Sequence, residues 1–206
     1  MSSTEKSGSN LFKMNRNKTA VWLNNDAARG GRAPDLELQR VNEDRGLDVW
    51  RSELWPGREK IRSLSSMTWD HAIKTASTDT SIYKKYRASF WAMVNKSDDI
   101  KAIAAGHQID NSYYRTRGIW VANDVRGGGL ITCVLWAVCR EAAELGCSIV
   151  WTLPRKKALN AYLRAGFNQD SEFFDEGVLY GPNCYAICRL TEKFITKING
   201  KYNSIE

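Results

Sequence analysis

Apolar and polar positions along the chain switch repeatedly between the two-residue period of strands and the longer period of helices. Leu36 and Leu38 alternate with Glu37 and Gln39, which predicts a strand, and Asn42-Glu43-Asp44 then supplies N-cap chemistry for a helix ending near Pro56. A second helix is expected over about residues 57–76, where Ile61, Leu64, Met67 and Ile73 carry the apolar positions. Two apolar runs, 87–94 and 100–109, flank the polar segment Asn95-Lys96-Ser97-Asp98-Asp99 and read as an antiparallel hairpin. Residues 114–122 form a further strand that runs into Asn123-Asp124-Val125, Arg126 and three consecutive glycines. The helix predicted over 130–145 is apolar on most of its circumference up to Arg140, so it should pack on a sheet, with Gly146 as its left-handed cap. A short strand at 148–153, an amphipathic helix at 156–165 closed by Gly166, and a hairpin over 177–190 about Gly181-Pro182-Asn183 complete the pattern.

That order describes an α/β chain built on a mixed, mostly antiparallel sheet flanked by helices. At 206 residues the chain fits one domain with tails. Residues 1–33, rich in Ser, Asn, Gly, Lys and Arg, are expected as a flexible N-terminal tail, with one apolar patch, Ala20-Val21-Trp22-Leu23, expected to dock on its own domain. The domain is assigned to 34–192 and a C-terminal tail to 193–206.

Composition changes this picture little. The net charge of +7 suits a polyanionic partner without deciding which. It keeps a basic nucleic-acid-binding module open, with Tyr83-Lys84-Lys85-Tyr86-Arg87 followed by Phe90 and Trp91 as the interleaved cations and rings. Five cysteines, an odd number without a Cys-x-x-Cys pair, fit neither a disulfide framework nor a zinc ribbon, so reduced core thiols and no metal are expected. The N-terminus lacks a secretory signal, and the longest apolar run is shorter than the roughly 20 residues of a spanning helix, so a cytoplasmic, membrane-free location is expected.

The segment from Val121 to Leu130 carries the chemistry. It joins a strand end to a helix start through Gly127, Gly128 and Gly129, which lets the N–H groups of that turn, Leu130 and Ile131 converge on an anion at the positive end of the helix. Arg126 adds a fixed charge for phosphate oxygens. A tight turn that binds nothing has the same glycines. No Gly-Lys-Ser/Thr follows, so the turn is no nucleotide P-loop, and the dinucleotide-binding spacing is absent.

Here the chain resembles the GNAT superfamily of N-acetyltransferases, whose turn is commonly written Val-x-Pro-x-x-Arg-Gly-x-Gly-x-Gly/Ala. Val121, Arg126, Gly127 and Gly129 match it; Asn123 takes the proline slot and Ile131 the last small residue. Ala158, Tyr162, Gly166 and Phe167 match the family's Ala-x-x-x-Tyr-x-x-x-Gly-Phe segment, while Arg155 stands where an Asn often contacts pantetheine. The resemblance implies an acyl-CoA N-acyltransferase fold and direct transfer from acetyl-CoA to a primary amine, without a covalent enzyme intermediate. It places the donor between splayed strands at 118–121 and 148–153, with the N–H of Trp120 or Val121 at the thioester oxygen, and makes Tyr162 the acid for the leaving thiolate. The carboxylate that often serves as base has no counterpart in Tyr113-Tyr114-Arg115-Thr116-Arg117, so His107 is the candidate base, acting directly or through water. Arg115 and Arg117 alternate along the strand and so share a face, where they suit an acceptor bearing carboxylate or phosphate more than a polyamine; two solvated charges on a strand edge are the plainer reading. A GNAT-like domain that binds acyl-CoA without transferring it is the other alternative.

Overall fold

The computed structural model describes residues 20–22, 36–57, 69–70, 75–76, 87–175 and 181–203. One eight-stranded sheet organises them. Its first half is antiparallel: β1 (Ala20–Trp22) borders β2 (Leu36–Val41), and a separate two-stranded pair, β3 (Trp69–Asp70) with β4 (Thr75–Ala76), precedes the central strands β5 (Ser89–Asn95), β6 (Ile100–Gln108) and β7 (Tyr113–Val121). The second half follows with β8 (Ile149–Thr152), β9 (Asn168–Gln169) and β10 (Ala186–Arg189) in the sheet order β1-β2-β5-β6-β7-β8-β10-β9. All described neighbours are antiparallel except β7 and β8, whose connection contains the long helix and returns in parallel.

Helix α1 (Glu43–Val49) is capped as its sequence predicts: the Asn42 side chain accepts from the Arg45 N–H at 2.9 Å. It widens into a π-helical turn at Trp50–Leu54, where the Trp55 N–H donates to the Trp50 carbonyl. One face of the sheet packs on this unit through Trp50, Trp55, Phe90 and Ile103, with the Trp50 and Phe90 rings 5.1 Å apart. Burying such rings contributes about 2 to 3 kcal/mol each.

The other face packs on α2 (Leu130–Glu144), whose buried residues run from Leu130 through Val134, Leu135 and Val138 to Ala142. The cluster there also takes in Val150, Tyr162, Phe167 and Ala186, binding the sheet to α3 (Leu159–Arg164). All five cysteines are buried and outside any disulfide, and burial pushes the Cys133 thiol up to about 12, so it stays protonated. No described helix is long and apolar enough to cross a membrane.

Several expectations are corrected. The stretch assigned to a second helix contains the β3–β4 pair, because Trp69 and Thr75 are strand formers that the helical spacing of Ile61, Leu64 and Met67 ignores; positions 58–68 and 71–74 lie outside the described residues. Of the expected tail 193–206, residues 193–203 belong to α4, which spans Glu192–Asn203, with Ile198 fully buried and Phe194 close against the backbone of Gly166; 204–206 lie outside the described residues. Phe194, Ile195 and Ile198 form a short apolar stripe on that helix, and Thr191 accepts from the Phe194 N–H at 3.2 Å. In the expected C-terminal hairpin, β10 pairs with β8 and β9, and Asn183 bridges to Phe174 and Arg155; residues 177–180 lie outside the described residues. Of the N-terminal segment, Ala20–Trp22 adds an edge strand to β2, and the rest of 1–33 lies outside them.

Candidate active site

The site begins where two strands part. β7 and β8 pair only from Tyr113 and Ile149 to Arg115 and Trp151, while β7 continues to Val121. A bulge lies in the freed stretch: Arg117 faces Ala105 and Trp120 faces Ile103, so three steps along β7 match two along β6. Gly118 makes the bulge possible. Its φ is +69°, and a Cβ there would lie 2.2 Å from the Trp50 ring, whose indole N–H donates to the Gly118 carbonyl at 3.0 Å. The extra residue bends the strand and resets its side-chain alternation, so Arg117 and Trp120 both face the α1 side.

Parting opens a cleft of about 1350 Å³ that runs through the sheet, from Leu54 and Trp55 on one face to Leu130 and Tyr162 on the other. Its strand wall offers backbone donors. The Ala122 N–H donates to the Lys101 carbonyl on β6 at 2.9 Å, so by antiparallel alternation the Trp120 N–H also faces β6 and the Val121 N–H faces the gap. The Val121 carbonyl, on the same side, accepts from Arg126 Nε at 3.2 Å. Of the two amides expected at the thioester, Val121 is therefore the one aimed into the cleft.

The glycine turn closes one end. Gly127 and Gly129 have φ of +86° and +78°, and among the described residues beyond the turn itself no heavy atom lies within 4 Å of where either Cβ would stand. Gly129 is the N-cap of α2, and the first helical N–H groups beyond it, at Leu130 and Ile131, have no intrahelical acceptor. Arg126, Gly127, Gly129, Leu130 and Ile131 line the cleft, whereas Gly128 does not. Ile131, the departure from the usual small residue, also packs against the α2-side core. Lys101 holds Asp124 at 2.9 Å, tying the approach to the turn to β6.

Tyr162 stands in the opposite wall, on α3. It is 4% exposed and edge-on to Phe167 at 5.4 Å between centroids. Burial pushes its hydroxyl up to about 12, while a hydrogen bond with Thr152 and the Arg117 charge act the other way. The group is thus a phenol at neutral pH, able to donate. Arg115 and Arg117 also line the cleft; Arg115 is 3% exposed with its guanidinium carbon 4.6 Å from the centroid of the Trp151 ring, and that of Arg117 lies 5.2 Å from Trp55. His107 is fully buried one strand away, paired across from Arg115, with Nδ1 2.9 Å from the Gln108 carbonyl; it is not among the cleft-lining residues.

Sequence reasoning missed Glu53, the one carboxylate among the described residues that line the cleft, which only the folding of the π-helical turn against the sheet brings there. It also missed Asn183, which lines the cleft and donates to the Leu153 carbonyl at 2.7 Å, although its place in a Gly-Pro-Asn turn marked it for a local role. The rings read as a nucleic-acid platform are used otherwise: Phe90 is buried, and Trp91 donates to Glu141 at 2.6 Å. Tyr83–Tyr86 lie outside the described residues.

A profile of the acetyltransferase (GNAT) family matches residues 50–167, more than half of the chain. No curated protein matches in sequence. Among solved structures, one from Lactobacillus plantarum assigned as an N-acetyltransferase superposes with a TM-score of 0.54 at 15% identity, covering 75% of this chain and 99% of its own. One from Klebsiella pneumoniae assigned as an acyl-CoA N-acyltransferase gives 0.52 at 12% identity, covering 76% and 98%. A GNAT-family acetyltransferase from Staphylococcus aureus gives 0.50 at 14%, covering 76% and 99%. At such identities the likeness shows the fold.

Proposed function

The chain belongs to the GNAT acetyltransferase family, and from that premise we propose that it is an N-acetyltransferase carrying acetyl from acetyl-CoA to a primary amine by direct attack. One observation carries the reading most: β7 and β8 part beside the glycine turn, leaving an inward amide on one side and a buried phenol on the other.

Acetyl-CoA, as donor substrate, supplies an acetyl carbon activated as a thioester. Arg126 and the amides at the start of α2 bind the pyrophosphate, where helix polarity and open space at two positive-φ glycines favour an anion. The Val121 N–H donates to the carbonyl oxygen and strengthens as negative charge builds there. The attacking nitrogen forms its bond to carbon and loses a proton, the carbon–sulfur bond breaks, and Tyr162 protonates the departing sulfur. His107 is set back from the cleft, so of the two routes considered for it only relay through water fits this geometry.

The test is incubation with labelled acetyl-CoA and a panel of primary amines, read by mass spectrometry. Labelled amide supports the reading; release of coenzyme A with labelled acetate alone makes the protein a thioesterase and sinks it. A sharper expectation concerns Arg126→Ala, which should weaken coenzyme A about tenfold or more in calorimetry, the scale of a lost charge-assisted hydrogen bond, while a pantetheine fragment without nucleotide phosphates binds as before. Equal weakening of both ligands would show that Arg126 does not read phosphate.

A further inference from the structure

We propose that Trp50 is a positioning residue for acetyl transfer: its buried indole fixes the Gly118 bulge and, through it, the aim of the Val121 amide at the thioester oxygen. The inference rests on the transfer function proposed above. Gly118 and Ile119 fall between two registered pairs, Arg117 with Ala105 and Trp120 with Ile103. They carry the extra residue of β7, and the ladder constrains them less than the paired residues on either side. Val121 comes next after Trp120, so the direction of its N–H depends on how the chain leaves the bulge.

Trp50 supplies the constraint that the ladder lacks. It is fully buried, and its indole N–H donates to the Gly118 carbonyl at 3.0 Å. The same edge of the ring lies so close to the Gly118 α-carbon that a Cβ would stand 2.2 Å from it. The ring is itself held on two sides, edge-on by Trp55 and tilted against Phe90, each at 5.1 Å between centroids. Glycine at φ +69° has other backbone conformations open to it at little cost, so its surroundings decide which one it takes. Without the indole N–H a buried carbonyl loses its partner, and rotation of the 118–119 peptide toward a new one swings the residues that follow.

Packing alone asks less of this side chain. A phenyl ring also fills space between Phe90 and Trp55, whereas the indole brings a donor to a strand carbonyl beside the cleft. Trp50 acts through its backbone as well: its carbonyl accepts from the Trp55 N–H at 2.6 Å and closes the π-helical turn from which Glu53, Leu54 and Trp55 reach the cleft. One residue therefore fixes the α1-side wall to the strand that carries the amide. Donation to a developing oxyanion is steep in distance and angle, and a misplacement of about 1 Å costs about a hundredfold in rate.

The test removes the donor and keeps the ring. Benzothienylalanine at position 50 puts sulfur where the indole N–H stands, and Trp50→Phe is the coarser variant. Single-turnover transfer to an amine substrate at saturating acetyl-CoA should be at least about tenfold slower in both, with acetyl-CoA affinity within about twofold of the wild type. Val94→Ala, in the same buried cluster but on β5, two strands from β7, should lower the melting temperature and leave the rate within about twofold. A second readout needs no transfer: the Val121 amide resonance should shift between the coenzyme A and acetyl-CoA complexes of the wild type, and that shift should shrink by about half or more in the benzothienylalanine protein. A wild-type rate or a wild-type shift in that protein, or no shift in the wild type, overturns the proposal and leaves the transfer function standing. An equal loss of rate in Val94→Ala also overturns it, because the effect is then general destabilisation. If the wild type acetylates no amine, the transfer function fails by itself, and the amide shift decides whether Trp50 aims Val121.

Discussion

Single-turnover acetyl transfer by Tyr162→Phe should be about a hundredfold slower than by the wild type at saturating acetyl-CoA, the usual contribution of a positioned general acid. Acetyl-CoA affinity should be unchanged, because the substitution removes one hydroxyl and keeps the ring against Phe167. Stability should fall by about 1 kcal/mol, the net worth of the hydrogen bond shared with Thr152. The pH dependence identifies the role. Burial pushes the wild-type phenol up to about 12, so the acid stays protonated through neutral and mildly alkaline pH, and no loss of rate due to Tyr162 is expected until pH approaches that value. Linkage works in the same sense: between about pH 10 and 12 the folded chain keeps a proton that the unfolded chain releases, so stability falls as pH rises through that window by roughly 2 to 3 kcal/mol. In the Phe variant this component is absent, while Tyr114, whose hydroxyl burial also raises, remains as background in both proteins. Equal transfer rates for the two proteins would make Tyr162 a packing residue.

Gly129→Val should abolish measurable coenzyme A binding and leave a folded protein. At φ +78° an L-residue costs about 1 to 2 kcal/mol, and a β-branched side chain belongs among the least suited. That lowers the melting temperature by several degrees without unfolding the domain. Among the described residues beyond its own turn, no heavy atom lies within 4 Å of the added Cβ; the side chain takes up space at the start of α2 where the pyrophosphate is expected. Gly129→Ala is the milder member of the series, with the same backbone penalty and less bulk. Circular dichroism with calorimetry checks both halves, and a wild-type dissociation constant in a folded valine variant would remove this turn as the phosphate site.

Locally encoded features were legible in the chain itself. Asn42 as a cap, the hairpin about residues 95–99, the apolar circumference of 130–144, and glycines at 127, 129, 146 and 166 all express preferences that act within a few residues, and each appears in the structure where the pattern put it. The second motif, ending in Gly166-Phe167, belongs to the same class: its glycine has φ +99° and its Tyr162 packs on Phe167. The strand-to-helix turn needs positive φ at 127 and 129, and glycine adopts that conformation at least cost.

Tertiary structure decided what depends on partners distant in sequence. Period-two alternation put Arg115 and Arg117 on one face, but only the register with β6 revealed the bulge, the reset of alternation after Gly118 and the aim of the Val121 amide. Strand position made His107 a candidate base; the folded sheet buries it fully and leaves it out of the cleft lining. Glu53 carries no motif, and reaches the cleft because Trp50, three residues earlier, is locked under Gly118, sixty-eight positions along the chain. The amphipathic stripe of 192–203 was too weak to stand alone as a helix and forms by burying Ile198 and Phe194 against the rest of the fold. Propensity and turn chemistry are short-range terms carried by each segment, whereas burial, register and the parting of β7 from β8 are set by the closing of the whole sheet, which no single segment contains.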